Sequence, residues 1–292
     1  MTPNPSITTE KRHNGVAGAW LITDMFLNIS TLTLVKLIGV ELPASQLVFI
    51  RAITGLVLIL PWVIRERAAF SKILHPALHI IRILLSVTAL TASYFAVARL
   101  PLALFTAINF TRPLLLMIMA AWILKESISR SRWLLAIIGL SGVGIALNPG
   151  SIQWSWGIPA LLLTIFSSTL ATIATRYLKG TPAVVMMLLY TAGLSLLTLP
   201  MVLFNWQPVP KELIWPLLFI GVFAQAGQYC FIKAHWLGEA SILGPLGYVS
   251  LLLSITAGYL VFAEVPDASM MVGSAIILLA TLALSFTKNN RH

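Results

Sequence analysis

Ten apolar stretches of 16 to 24 residues follow one another along the chain, and most of the charge is confined to the gaps between them. That pattern leaves few solutions. A helix of about 20 apolar residues crosses the ~30 Å hydrocarbon core of a bilayer. Inside lipid every backbone N–H and C=O must find a partner within the protein, so only helices and closed barrels span. The stretches are continuous rather than alternating, which excludes a barrel. Only 10% of the residues are charged and 58% are hydrophobic, so too few polar side chains exist to cover a water-facing surface. The sequence therefore predicts an all-α integral membrane protein of ten transmembrane helices, at about 15–38, 44–64, 75–97, 102–124, 133–148, 155–175, 182–204, 213–234, 240–262 and 268–287.

The charge in the gaps sets the orientation. With the N-terminus cytoplasmic, thirteen lysines and arginines fall on the inner side and only Arg99 and Lys211 on the outer. Both termini are then inside, with cytoplasmic tails at 1–14 and 288–292, in a multi-pass protein of a bacterial-type inner membrane. The net charge of +10 is a topology signal of this kind rather than a nucleic-acid patch. Tryptophans agree: Trp62, Trp122, Trp133 and Trp236 fall at inner ends, and Trp154, Trp156, Trp206 and Trp215 at outer ends, as an interfacial belt requires. The first span is too long for a signal peptide and lacks a cleavage site. The single cysteine, Cys230, excludes an intrachain disulfide and a cysteine metal cluster.

The chain reads as duplicated. PLALFTAINFTRPLLLMIMAAWILKE and EASILGPLGYVSLLLSITAGYLVFAE share spacing, and each ends in a glutamate, Glu126 or Glu264, before a polar turn and a Gly-bearing span. Repeats of 15–148 and 155–287 hold five spans each. Five is odd, so the second half enters from the opposite side, an inverted architecture common in transporters, whose sites lie near the midplane between halves.

The run from Arg82 to Gly150 resembles the first repeat of the drug/metabolite transporter superfamily, EamA type. The resemblance is carried by Arg82, Tyr94-Phe95, Leu100-Pro101-Leu102-Ala103, Thr106-Ala107-Ile108, Phe110-Thr111, Pro113, Glu126, Arg132-Trp133, Gly139, Gly142-Val143 and Pro149-Gly150. Ala240, Pro245, Tyr248, Phe262, Glu264 and Gly273 repeat it more loosely, and Phe49-Ile50-Arg51 matches a second-span pattern. The resemblance implies ten helices, a central cavity and ATP-independent transport of metabolites; the subgroup most similar includes riboflavin and S-adenosylmethionine carriers. Arg112 departs from the family pattern, in which a small residue stands at this position.

Five ionisable residues lie inside spans: Asp24, Lys36, Arg51, Arg82 and Arg112. Arg112 is near the midplane, where a charge costs about 2.5–3.5 kcal/mol unless it meets a partner or a wet cavity. It is either an anchor for an anionic substrate group or half of an internal ion pair. Pro113 frees a backbone carbonyl near Asn109, so the fourth span either lines the cavity or is kinked there. Asp24 is the only acid deep in a span and shares a face with Asn28. It is a partner for Arg112, a cation ligand or a protonatable coupling residue. Arg51 and Arg82 are long enough to reach toward an interface and read as structural. Gln225, Gln228 and Tyr229 lie on one face of the eighth span. Pro245 and Tyr248, flanked by Gly244 and Gly247, interrupt the ninth as Pro113 does the fourth.

The expected substrate-binding set is Asp24, Asn28, Asn109, Arg112, Gln225, Gln228 and Tyr248, suited to a zwitterion such as an amino acid or its derivative. Glu126 and Glu264 read as capping or boundary residues. Gly139, Gly142 and Ala146 read as a close-packing face. His75 and His79 form an i, i+4 pair without a third metal ligand. No Walker A, HExxH, CxxC or GxSxG motif occurs. No cofactor, metal or nucleic-acid partner is expected; the partners are a small-molecule substrate, the bilayer and a coupled proton or counter-substrate. The rival classes are an intramembrane enzyme and a channel.

Overall fold

The computed structural model of the protein describes residues 14–70, 75–123, 129–147, 155–178, 181–237 and 249–286. Helices account for most of them, and no strand occurs among them. In chain order they are α1 (Asn14–Ile38), α2 (Ala44–Arg65), α3 (Pro76–Val97), α4 (Leu102–Asn109), α5 (Arg112–Ile123), α6 (Arg130–Leu147), α7 (Gly157–Tyr177), α8 (Ala183–Asn205), α9 (Ile214–Leu237), α10 (Val249–Phe262) and α11 (Ala268–Phe286). Short 3₁₀ turns at Arg67–Phe70 and Lys211–Leu213 precede α3 and α9. Six helices are long and apolar enough to cross a membrane, and shorter apolar helices cover Leu102–Leu116, Trp133–Leu147, Val249–Phe262 and Ala268–Ala283.

The surface shows what solvent the fold is built for. Val57, Ile64, Leu203, Phe204 and Leu260 are all exposed, Phe204 by 87%. So much exposed apolar surface suits lipid, not water. Inside, the hydroxyls of Thr31, Thr164, Thr169, Thr191 and Thr198 each donate to the carbonyl four residues earlier, so they are buried without an unpaired proton.

The helices pair across the two halves in a pattern that survives exchange of one half for the other. α1 packs on α9 as α7 packs on α3. α2 meets α9 as α8 meets α3, and α1 meets α10 as α7 meets the α4–α5 segment. α2 with α8, α4 with α10 and α6 with α11 pair with their own counterparts. The halves also run in opposite senses: Gly157, at the start of α7, lies against Leu100 at the bundle end where α1 finishes. We term that end, which carries the α1–α2 turn, the distal end.

Small residues make the closest crossing. A Cβ at Gly273 of α11 would run into the Ala146 and Gly142 backbone, and one at Gly142 would stand 3.0 Å from Gly273 O. The expected small-residue face on the fifth span is thus the α6–α11 contact. At the distal end Gln46, fully buried, donates from Nε2 to Gln207 O at 2.8 Å and accepts from Gln207 N at 3.0 Å, tying α2 to the loop after α8.

Candidate functional site in the helix bundle

The fourth span is not one kinked helix but two. α4 ends at Asn109 and α5 begins at Arg112. Proline at 113 cannot donate to the Asn109 carbonyl, so the α-helical ladder cannot pass through. The chain tightens instead: Phe110 N donates to Ala107 O at 3.1 Å and Thr111 N to Ile108 O at 3.0 Å, both i→i−3. Thr111 N–H is followed by its own hydroxyl, which donates to the same Ile108 carbonyl at 2.7 Å. Thr281 of α11 has its Oγ1 2.8 Å from Ile277 O of its own helix and 3.1 Å from Phe110 O, so its single hydroxyl proton is shared between that helix and the break.

Arg112 stands at this break. It is exposed although it lies mid-span, and its Nη2 is 3.4 Å from Thr172 Oγ1 on α7. Asn109 is half-buried and donates Nδ2 to Phe105 O at 2.9 Å. Asp24 lies elsewhere, on α1 against α9: a Cβ built on Gly227 would come within 3.2 Å of its Oδ1. Among the described residues no ion pair joins Asp24 to Arg112. Asn28 is exposed one turn further along α1.

On α9, Gln225 is half-buried and meets α2 and α8, since a Cβ on Gly55 would be 3.1 Å from both Gln225 Oε1 and Thr191 Cγ2. Gln228 and Tyr229 are exposed, and the Tyr229 ring meets Trp20 edge-on at 6.1 Å. The predicted set is thus scattered: Asp24 and Asn28 lie on α1, Gln225 faces α2 and α8, Gln228 is exposed on α9, and Asn109 with Arg112 stands at the α4–α5 break. Tyr248 and Pro245 lie outside the described residues, as does Glu126.

Two arginines read as structural make internal contacts. Arg51 does not reach for an interface. Its Nη1 donates to Tyr94 Oη at 3.2 Å, its guanidinium lies 5.8 Å from the Tyr94 ring centroid, and Tyr190 of α8 adjoins it. Arg82 Nε donates to Thr175 Oγ1 of α7 at 2.7 Å, and Tyr190 is within its electrostatic reach too. The signal that could have found them is a charge count: four cations inside spans against one acid. The fourth cation is Lys36, which is paired. Its ammonium donates to Glu264 Oε1 and to Leu100 O, while Glu264 Oε2 accepts from Leu102 N at 2.9 Å, capping α4. Ala263, at φ 53°, ends α10 in a left-handed turn, with Ala263 N donating to Tyr259 O and Glu264 N to Gly258 O, both at 3.1 Å, and so aims that carboxylate.

Both halves of this bundle match one family model, the EamA-like transporter family, over residues 17–148 and 155–286. The chain belongs to the EamA-like transporter family. Relatives within reach of the EamA comparison carry transporter names. The chain is 26% identical over 279 residues to the S-adenosylmethionine uptake transporter of Rickettsia prowazekii, covering 94% of this chain and 93% of that one. It is 26% identical over 297 residues to the riboflavin transporter of Vibrio cholerae, covering 96% and 97%. It is 29% identical over 259 residues to the pseudopaline exporter CntI of Pseudomonas aeruginosa, covering 87% and 90%. A solved crystal structure superposes with a TM-score of 0.64 at 19% identity, over 94% of this chain and 97% of that one, which is a likeness of fold. An EamA-like protein with such relatives is a membrane-embedded transporter of small molecules.

Proposed function

We propose that the protein is a secondary transporter that moves a small zwitterionic metabolite, an amino acid or a derivative of one, across the inner membrane by alternating access. The observation that carries this is the broken fourth span with Arg112 exposed at the break, in a chain whose two halves both match a transporter family. Discontinuous helices place backbone dipoles and side chains at a substrate. A guanidinium at mid-span is stable where the space around it is wet, and there it binds carboxylates through paired N–H donors. Asp24, on the separate α1–α9 wall, offers the opposite charge to an ammonium group. Asn28, Asn109, Gln225, Gln228 and Tyr248 complete the set we assign to the substrate path.

The repeats at 15–148 and 155–287 serve as the two bodies that rock against each other, with both termini cytoplasmic and a proton or counter-substrate driving flux. S-adenosylmethionine, a name among the relatives, is itself an amino-acid derivative, whereas riboflavin is not. A vitamin or nucleoside-type carrier is therefore the second reading. We read the chain as non-enzymatic. The test is uptake by proteoliposomes of labelled amino acids, S-adenosyl compounds, nucleosides and flavins without ATP. Saturable uptake of an amino-acid-type solute that Arg112→Ala weakens supports the reading. Uptake confined to flavins or nucleosides, or unaffected by Arg112→Ala, overturns the zwitterion assignment.

A further inference from the structure

The two halves meet through two kinds of contact. At the α6–α11 crossing, backbone lies against small residues, and a Cβ on Gly142 would stand 3.0 Å from Gly273 O. Such a seam is held by close packing. At the distal end the ties are polar side chains. Lys36 of α1, in the first half, donates to Leu100 O just ahead of α4 and to Glu264 Oε1 just beyond α10, in the second half. Glu264 Oε2 accepts in turn from Leu102 N at 2.9 Å, and the Lys36 ammonium lies 5.1 Å from the Phe262 ring centroid. Gln46, bonded to the backbone of Gln207, adds a second polar tie between the halves at the same end.

These ties close over an apolar plug. Ile38, Leu47, Tyr94, Leu102, Leu104 and Leu161 are each less than 2% exposed, and each lies within about two turns of the distal end of its helix. Water nevertheless reaches the clasp. The Glu264 carboxylate is on the wall of a distal recess of about 210 Å³, together with Ala103, Leu104, Gly258 and Asp267. A carboxylate and an ammonium so placed are rehydrated when they separate, so parting them costs far less than parting charges in a dry interior. The reach of the carboxylate depends on α10. A Cβ at Gly258 would stand 2.9 Å from Glu264 Oε2, so the glycine leaves the room in which Glu264 crosses to the first half.

We propose that the Lys36–Glu264 clasp is the distal gate: it holds the two halves together over the apolar plug in this structure, and it opens when the path between the halves turns to the distal side. The proposal rests on the alternating-access reading above and names the contact that the alternation breaks. Glu264 leaves Lys36 and Leu102 N while the α6–α11 seam stays closed.

The test reads opening directly. Cys230 is the only cysteine, so a Cys230→Ser background takes a single reporter, Ala107→Cys. Ala107 is fully buried, one turn below Ala103 on the same face of α4. A membrane-impermeant methanethiosulfonate is applied to right-side-out and to inside-out vesicles, and Arg99→Cys, at an exposed position, shows which of them presents the distal end. With the clasp intact the reporter should react slowly from that side. Glu264→Gln, Lys36→Met and Gly258→Ala, the last of which changes no charge, should each speed the reaction about three- to tenfold from the distal side and leave the rate from the other side no higher. The inference falls if any of these variants that folds reacts like the clasp-intact protein. It falls equally if the rate rises alike from both faces, as general loosening would give. A second arm keeps the clasp native. Arg99→Cys with Gly157→Cys, whose Cβ atoms would lie 3.2 Å apart, ties the halves at the same end once oxidised. Counterflow of a transported solute should stop on oxidation and return on reduction; unchanged counterflow in the crosslinked protein overturns the gate. Failure of the two readings looks different. Faster distal labelling in a protein that moves no tested solute keeps the gate and sinks the transporter. Transport with labelling indifferent to the clasp does the reverse.

Discussion

Arg112 has one described polar contact, a 3.4 Å approach to a threonine that is already back-bonded to Ser168 O at 2.8 Å. A contact that long contributes little to folding. Arg112→Ala should therefore change stability by less than about 1 kcal/mol while reducing uptake, so a melting curve near wild type with impaired transport is the expected pair of results. Gly227 tests Asp24 in the same way. A methyl group there stands 3.2 Å from the carboxylate oxygen, tight enough to displace it without touching the α1 backbone closer than 3.7 Å. Gly227→Ala should fold, should melt within about 1 kcal/mol of wild type and should raise the KM for a substrate that carries an ammonium group. Of the residues themselves, depth was legible and direction was not. Hydropathy places Arg51, Arg82 and Arg112 along the membrane normal. Which way each turns depends on partners on other helices: Tyr94 for Arg51, Thr175 for Arg82 and Thr172 for Arg112.

At the level of elements, the helix limits were readable because lipid demands long, continuous apolar runs with charges between them. Among the described residues the exception is the fourth span. Pro113 announced a disturbance, but whether it bends or breaks the helix is set by the i→i−3 turns at Phe110 and Thr111, against which Thr281 of α11 lies. The distal cap formed by Glu264 links three elements. It joins the end of α10 to the start of α4 and to Lys36 on α1, with side chains only 21% and 11% exposed. Glu264→Ala leaves Lys36 and Leu102 N without their carboxylate and should cost about 1–3 kcal/mol, measured as a loss of unfolding free energy. Lys36→Ala on top of it should cost less than the sum of the two single changes, since the uncompensated ammonium is gone. A strictly additive pair would mean the two residues are not coupled.

For the whole molecule, the exchange symmetry of helix pairs is the feature that ties fold to function. α1 on α9 carries Asp24, while its counterpart pair, α7 on α3, carries Arg82 against Thr175. Two walls of like construction carry a carboxyl group and a guanidinium respectively. On the proposed carrier reading, that arrangement suits a solute with both an ammonium and a carboxylate. The α6–α11 crossing leaves no room for a Cβ at Gly273, and the proposed motion would have to leave this contact intact. Gly273→Leu should destabilise by more than about 2 kcal/mol and abolish transport through loss of the fold, visible as early melting.

The most direct test of the carrier account is counterflow. Proteoliposomes are preloaded with an unlabelled excess of a transported amino-acid-type solute and diluted into a trace of the labelled form, with no ATP and no imposed ion gradient. The account predicts a transient overshoot of label inside, saturable and weakened in Arg112→Ala. Flux that equilibrates without overshoot at every concentration would contradict alternating access and point to a channel.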